Sequence, residues 1–319
     1  MKRLFLSTTA LALAGGMASA EVSITGFAEM GVAGSKGSDA KLHKDIDIGF
    51  DASGATDTGL SFGLSIDLDN TLKGSDAYDA SGNVHLSGAF GTVTLGDTDG
   101  AFDKALSEVG SATAIADDHT SHPGYNGNSG LDGFTGNGGN ILRYDYSLGD
   151  ITTSASMETG ADNASNSVIG VGMAWSGDVG GVGIGIGLGY QTGSNTVDDT
   201  AKDGSITGLS VSVDMGNSLS LVANASSKDV ETEVAGGADT SASTTHTGIG
   251  VAYSVGDLTI GVNGGTSSTK GTSPSDASGA GFAVVYNLGT GVTFQVGAGS
   301  GEIDGAKSSS WSTGLAFSF

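Results

Sequence analysis

The chain has 319 residues, 57 of them Gly, 2 Pro and no Cys, with 35 acidic against 12 basic side chains and a formal charge of -23. The missing cysteines exclude a disulfide scaffold, a thiolate metal site and a cysteine nucleophile, and so negative a charge excludes a surface built to displace phosphate counterions. Hydrophobic residues make up 37% and charged ones 15%, so the chain is neither oily nor a polyelectrolyte, a composition that suits extended strands with two unlike faces.

Lys2 and Arg3 precede an apolar run from Leu4 to Ala14, followed by Gly15, Gly16 and the small-residue site Ala18-Ser19-Ala20. This is the pattern of a secretory signal peptide over 1–20, cleaved before Glu21; the run is too short for a membrane anchor. Its removal leaves 10 basic residues against 35 acidic, a charge of -25. No later segment has the ~18 consecutive apolar residues of a membrane helix.

Beyond Glu21, apolar residues alternate with polar residues or Gly almost to the last position. In Asp45-Ile46-Asp47-Ile48-Gly49-Phe50-Asp51-Ala52 every apolar residue is even-numbered. Leu60 to Leu68 and Leu142 to Leu148 keep the same beat, and Val182, Ile184, Ile186, Leu188 and Tyr190 alternate with four glycines. Ile249 to Val255, Phe282 to Leu288 and Trp311 to Phe319 complete the series. A period of two belongs to strands, whose successive side chains point to opposite faces. Division at the turn residues predicts about 16 strands, starting near 22, 43, 59, 83, 91, 140, 151, 167, 181, 205, 218, 246, 257, 280, 291 and 310.

Short turns are expected at Ala89-Phe90-Gly91, Leu148-Gly149-Asp150, Met215-Gly216-Asn217, Val255-Gly256-Asp257 and Leu288 to Gly291. Longer polar loops are expected near 34–42, 71–82, 98–139, 160–166, 192–204, 228–245, 266–279 and 301–309. Connections short at one end and long at the other fit an up-and-down barrel in an outer membrane, crossed by strands of about 9–11 residues. Phe90, Tyr146, Trp175, Tyr253, Tyr286 and Phe317 fall just before short turns or the C-terminus, placing an aromatic girdle at one interface. Closure would pair the first strand, Val22 to Val32, with the last. A soluble sandwich has the same alternation with its apolar face inward, but its core needs larger side chains than the Ala, Gly, Ser and Val that dominate here.

Several blocks carry a family likeness: Glu21-Val22 with Met30-Gly31-Val32, Ser53 to Gly63, Leu86-Ser87-Gly88-Ala89-Phe90-Gly91, Gly96-Asp97, Tyr144-Asp145-Tyr146-Ser147 and the terminal Phe319. In them the chain resembles the general-diffusion porins of alphaproteobacteria, which are trimeric sixteen-stranded outer-membrane barrels. The resemblance implies an all-β, transmembrane, antiparallel up-and-down β-barrel over 21–319. It further implies a homotrimer set in outer-membrane lipid and lipopolysaccharide, a long third loop folded into the barrel, and passive passage of small hydrophilic solutes without catalysis. Phe319 would serve as the assembly signal.

The long loop, 98–139, is many times the usual connection length of about 4–6 residues. It carries Asp99, Asp103, Glu108, Asp117, Asp118 and Asp132, either as a solvated surface or as one wall of a constriction. Phe102, Ala105, Leu106 and Val109 have helical spacing and predict a short helical turn over Asp103 to Val109. Porins of the resembled family face this loop with basic residues on the barrel wall. Here the early-strand lumen positions read Glu29, Asp45, Asp47, Asp67 and Asp69, with His85 and Asp97 further on. Arg143, also of lumen parity, is the one arginine after the leader, while Lys36, Lys41, Lys44 and Lys73 fall in or beside the first two loops. Carboxylates on both walls should concentrate cations and repel anions, and a group such as Asp99, Asp117 and Asp118 could hold Ca2+.

Two other classes make separate predictions. A calcium-binding β-solenoid requires a recurring G-G-x-G-x-D motif; Gly180-Gly181-Val182-Gly183-Ile184-Gly185 lacks the Asp and does not recur. A barrel hydrolase requires nucleophile, base and orienting group on one face. His85 is the one histidine placed well within a strand, with Ser87 at the same parity, and His119 and His122 lie beside Asp117 and Asp118. Polar lumen and loop positions account for both groupings more simply.

Overall fold

The computed structural model describes residues 10–12, 21–69, 79–110, 114–116, 122–136, 140–160, 166–197, 200–216 and 218–319. Strand β1 (Ala10–Ala12) is followed by β2 (Glu21–Ser35), β3 (Lys41–Ala55), β4 (Ser61–Asp69), β5 (Asp79–Gly88) and β6 (Gly91–Gly96). After a one-and-a-half-turn helix, α1 (Ala101–Ala105), come β7 (Ile141–Leu148), β8 (Ile151–Thr159), β9 (Ser167–Val179), β10 (Val182–Val197) and β11 (Thr200–Asp214). The series ends with β12 (Leu219–Val234), β13 (Thr240–Val255), β14 (Leu258–Gly271), β15 (Ser275–Gly289), β16 (Val292–Ile303) and β17 (Ala306–Ser318).

From β2 to β17 each strand pairs with its sequence neighbour, and β17 returns to β2, so sixteen antiparallel strands close on themselves. At the seam Leu315 faces Met30 and Phe317 faces Ala28. Two further backbone bonds extend it, Phe319 N–H to the Gly26 carbonyl at 2.9 Å and Gly26 N–H to the Phe319 carbonyl at 3.3 Å. Closure leaves no unpaired edge, which a sheet in hydrocarbon cannot tolerate. The short β1 lies beside the start of β2, with Ala12 opposite Glu21; it falls within the segment expected to be the leader.

The alternating parity resolves into two surfaces. Ile24 (54% exposed), Ile66 (44%), Val171 (51%) and Phe282 (45%) stand outward, whereas Thr25, Asp45, Arg143 and Gln191, at positions of the inward parity in their own strands, are buried inside the barrel. Tyr146, Tyr253 and Tyr286 lie on the outer face close to the short turns, with Tyr253 opposite Leu219 and Tyr286 opposite Leu258. Gly256 makes one of these turns tight by adopting a φ of +57°, a conformation that disfavours any side chain.

Strand starts that follow short turns fall within two residues of their expected positions. Of those that follow long loops, β7 and β9 start within one residue of expectation and five others come four or more residues earlier: 79 against 83, 200 against 205, 240 against 246, 275 against 280 and 306 against 310. The expected loops at 192–204, 228–245, 266–279 and 301–309 are therefore largely strand. Val197 still pairs with Thr200, Thr232 with Thr240, Thr269 with Ser275 and Ile303 with Ala306. These ends are rich in Ser, Thr and charged residues on both faces. The hydrogen-bonded ladder continues into water where the apolar alternation, which only lipid demands, has stopped.

The expected helical turn is present but begins at Ala101 and ends at Ala105. The buried apolar residues of the molecule concentrate on this loop: Ala101, Phe102, Ala105, Leu106, Val109, Ala114, Ile115 and Leu131. Phe102, Leu106 and Leu131 pack on Val168 of β9 and Ile206 of β11, with Phe134 alongside. A barrel whose apolar face points outward has no core of its own; this cluster inside the lumen holds the loop against the wall. Burial of each large side chain stabilises it by roughly 1.5–3 kcal/mol.

Candidate functional site

The long loop does not cross the lumen freely; it runs along the inner wall and is tied to one strand after another. Arg143 of β7 donates to Thr98 Oγ1 at 2.8 Å and to the Asp99 carbonyl. Ala101 N–H donates to Ser156 of β8 at 2.8 Å, and Leu131 N–H to Gln191 Oε1 of β10 at 2.7 Å. Ser107 N–H reaches Ser210 of β11 at 2.8 Å. Asn224 of β12 donates to Asn128 at 3.0 Å, and His122 pairs with Asn263 of β14 at 2.9 Å. At the far end Ser312 of β17 donates to the Ile115 carbonyl, and Ala116 N–H to Glu29 of β2 at 3.2 Å.

Lumen-facing glycines form the track on which the loop lies. A Cβ at Gly172 or Gly187 would run into the carbonyl oxygens of Ala101 or Ala105, and one at Gly250 into that of Val109. Gly265 is filled in the same way by Gly124, Gly279 by the His122 ring and Gly31 by Ile115. The glycines of the inner face are thus where another backbone has to come close.

Two loop ties involve carboxylates. Glu158 of β8 is 2% exposed and accepts from Gly133 N–H at 2.8 Å and from the Thr135 hydroxyl. Asp132 accepts from Gly100 N–H at 2.7 Å and Gln191 Nε2 at 2.6 Å. Burial pushes the pKa of the Asp132 carboxyl up from its ordinary value, against the opposing pull of its two hydrogen bonds. A docked loop therefore holds a proton on Asp132 more readily than an undocked one. Docking is strengthened as pH falls through that raised pKa and weakened as pH rises through it. Open-channel current noise is expected to fall as the pH is lowered into the range where carboxylates take up protons, and Asp132→Asn, already uncharged, to lose that dependence. Noise that increases on acidification would contradict this.

The acidic lumen positions lie side by side on β2–β4. Asp45 pairs with Glu29, Asp47 with Phe27 and with Asp69, and Asp67 with Gly49. One oxygen from each of Asp45, Asp47 and Asp69 lies within 4.8 Å of the others. Opposed like charges weaken a ladder, so such crowding is a cost the fold carries. Three hard oxygen donors at this spacing suit Ca2+, which takes oxygen ligands at about 2.3–2.6 Å. Glu29 is a structural member of the group, since it holds His43 at 3.1 Å as well as Ala116.

The other expected positions divide. Arg143 is on the lumen side but 6% exposed, ion-paired to Asp145 at 2.9 Å, with Ser154 completing the Asp145 carboxylate at 2.6 Å. It fixes the base of the loop, and its charge is paired with that of Asp145. Asp97 is exposed, Asp99 is half-buried just before α1 and Asp103 half-buried within it, and Glu108 accepts from the Tyr125 hydroxyl at 3.2 Å. Asp117, Asp118 and His119 lie outside the described residues, so Asp99 is not seen with them; the described carboxylates that come together are those of β3 and β4. His85 is half-buried against Gly63 and makes no hydrogen bond to Ser87 among the described residues. It is not the one histidine in a strand, because His43 and His246 stand in β3 and β13. Gln191, Asn224, Asn263 and Glu158 were not singled out from the sequence. Their signal was there: single long polar side chains at lumen parity in strands otherwise of Gly, Ser and Thr.

Residues 7–306 match the sequence profile of the Gram-negative porins. The chain belongs to that family. A porin of Rhodobacter capsulatus is 34% identical over 143 residues, 44% of this chain and 46% of the relative, so the match spans about half that relative's length. Among solved structures, a porin refined at 1.8 Å superposes with a TM-score of 0.71 over 94% of this porin and 100% of its own chain, at 23% identity. The trimer form of OmpT from Vibrio cholerae gives 0.70 over 94% and 99%, at 13% identity. These likenesses establish the fold of the porin, and with the family they place it in the outer membrane of a Gram-negative cell.

Proposed function

We propose that this porin is a passive, water-filled channel for small hydrophilic solutes and ions, with a preference for cations. The observation that carries the proposal is the crowding of carboxylates on one wall of the lumen. Asp45, Asp47, Asp67 and Asp69 occupy the lumen face of β3 and β4, while Arg143 is neutralised by Asp145. Asp97, Asp99, Asp103 and Glu108 supply further carboxylates from the loop and its base, and Asp117 and Asp118 belong to the same loop. Carboxylates on either side of a narrow aqueous passage raise the local cation concentration and lower that of anions. A sixteen-stranded barrel is wide enough to hold water once its interior is not filled by side chains.

No catalysis and no resident cofactor belong to this function; Ca2+ would be an exchangeable counter-ion at Asp45, Asp47 and Asp69. The protein would work as a homotrimer in outer-membrane lipid and lipopolysaccharide, with no nucleic-acid partner, an assembly in line with the trimer form of OmpT. Phe319 would act as the assembly signal, and its backbone bonds to Gly26 put it at the closure seam. Added to a planar bilayer, the purified protein is expected to insert with discrete current steps. Step-free current from folded, heat-modifiable protein would overturn the channel.

A further inference from the structure

Opposite the acidic wall the lumen carries charge of the other sign. The inner faces of β11, β12 and β13 present Lys202, Lys228 and His246, about eight strands round from β3 and β4, which is half of the ring. Lys228 lies opposite Ile206 on one side and Thr244 on the other, and His246 opposite Ser226 and Ser267. Both stand on the long-hairpin side of Asn224 and Gly248, the level at which the loop meets the wall.

Lys228 and His246 line a cavity of about 210 Å3 whose walls include the loop residues Tyr125, Asn126 and Ser129. Among the described residues no carboxylate pairs with Lys228, and no hydrogen-bond partner meets the His246 ring. The other titratable groups nearby are His122, which repels a charge on His246, and Glu108, which sits behind Tyr125 as the acceptor of its hydroxyl. The hydroxyls of Ser226, Ser267 and Thr244 complete a wall of donors. At about 30 Å3 per water, the cavity holds roughly seven waters, or an oxyanion with part of its hydration shell. Carboxylates on the opposite wall of a water-filled barrel stand beyond the Debye length of ~8 Å and leave the local field of Lys228 largely intact.

We propose that this cavity is a subsite for the oxyanion group, carboxylate or phosphate, of a solute in the vestibule above the loop. Lys228 supplies the charge, His246 and the hydroxyls supply directed hydrogen bonds, and the group is held before the solute passes the acidic zone. The subsite rests on the channel function only for its role in transport; its binding of an oxyanion is separable from conduction.

Inorganic phosphate is the probe, read in two ways. Line broadening of the phosphate 31P resonance by the detergent-solubilised protein needs no conduction, and saturable reduction of K+ current by phosphate reads the same event in a bilayer. Loss of one charge-assisted hydrogen bond corresponds to about tenfold in affinity, so Lys228→Gln and His246→Gln are each expected to weaken both effects by about that factor. Lys202→Gln, which removes the same charge from the same wall outside the cavity, is expected to leave them unchanged. Absence of saturable broadening in the unaltered protein, equal broadening in Lys228→Gln, or an equal loss in Lys202→Gln would each overturn the subsite. Broadening without any conductance would retain the subsite and sink the channel.

Discussion

Replacing Asp45, Asp47 and Asp67 together by Asn is expected to reduce the cation-to-anion permeability ratio by several-fold, approaching tenfold at low salt. In water a unit charge about 8 Å from a permeant ion contributes ~0.5 kcal/mol, attractive for a cation and repulsive for an anion, so three act on the ratio with ~3 kcal/mol unscreened, which screening over about one Debye length cuts to ~1 kcal/mol, a several-fold change. Screening lowers that figure as salt rises, and the effect of the variant should shrink in parallel. The barrel should not suffer. Asn keeps the size of Asp and its capacity to accept hydrogen bonds, and Asp45 faces Glu29 while Asp47 faces Asp69, so removing charge there also eases opposed like charges and the barrel should still assemble. Asp257→Asn, in an exposed short turn, removes a charge of the same sign away from the lumen and should leave the ratio unchanged. A triple variant with the ratio of the unaltered protein would show that these carboxylates do not line the passage.

The second large effect is expected from methyl groups alone. Ala substituted for Gly172, Gly187 and Gly250 would place three Cβ atoms on the carbonyl oxygens of Ala101, Ala105 and Val109. Overpacking of this kind costs about 1–3 kcal/mol per site. The barrel ladder runs through backbone bonds that the methyl groups do not touch, so the cost falls on loop docking. The triple variant should assemble as a barrel with its loop open to proteolysis within 98–139, and its single-channel current should be noisier. Gly183→Ala is the control, since a Cβ there meets nothing nearer than Asp214 at 3.6 Å. A protease-resistant, quiet triple variant would mean that the glycines are not the seat of the loop.

Much of the barrel was legible because lipid imposes a rule on sequence: wherever a strand crosses hydrocarbon, alternate residues must be apolar. That rule gave Ile46, Ile48 and Phe50 their outward direction and Asp45 and Asp47 their place inside. It also explains where legibility stopped. Beyond the hydrocarbon, Thr240 to Thr245 pair as strand with no apolar face, and their composition reads as loop. The helical spacing of Phe102, Ala105, Leu106 and Val109 announced a packed face, but nothing in the loop said which wall would receive it. The receiving surface is made of absent side chains at Gly172, Gly187 and Gly250, which in sequence look like the general glycine excess of the chain. Arg143 was placed on the correct face, and Asp145, two residues on and so on the same face, already marked its partner.

Ion preference is where these threads meet, because it depends on the acidic wall remaining uncompensated by Arg143 and distant from Lys228. The most direct measurement is the reversal potential of single insertions in a planar bilayer held in a KCl gradient. A potential of the sign set by K+, shifting toward zero in the triple Asp→Asn variant, is the result this charge distribution requires. A potential of the sign set by Cl− would contradict it.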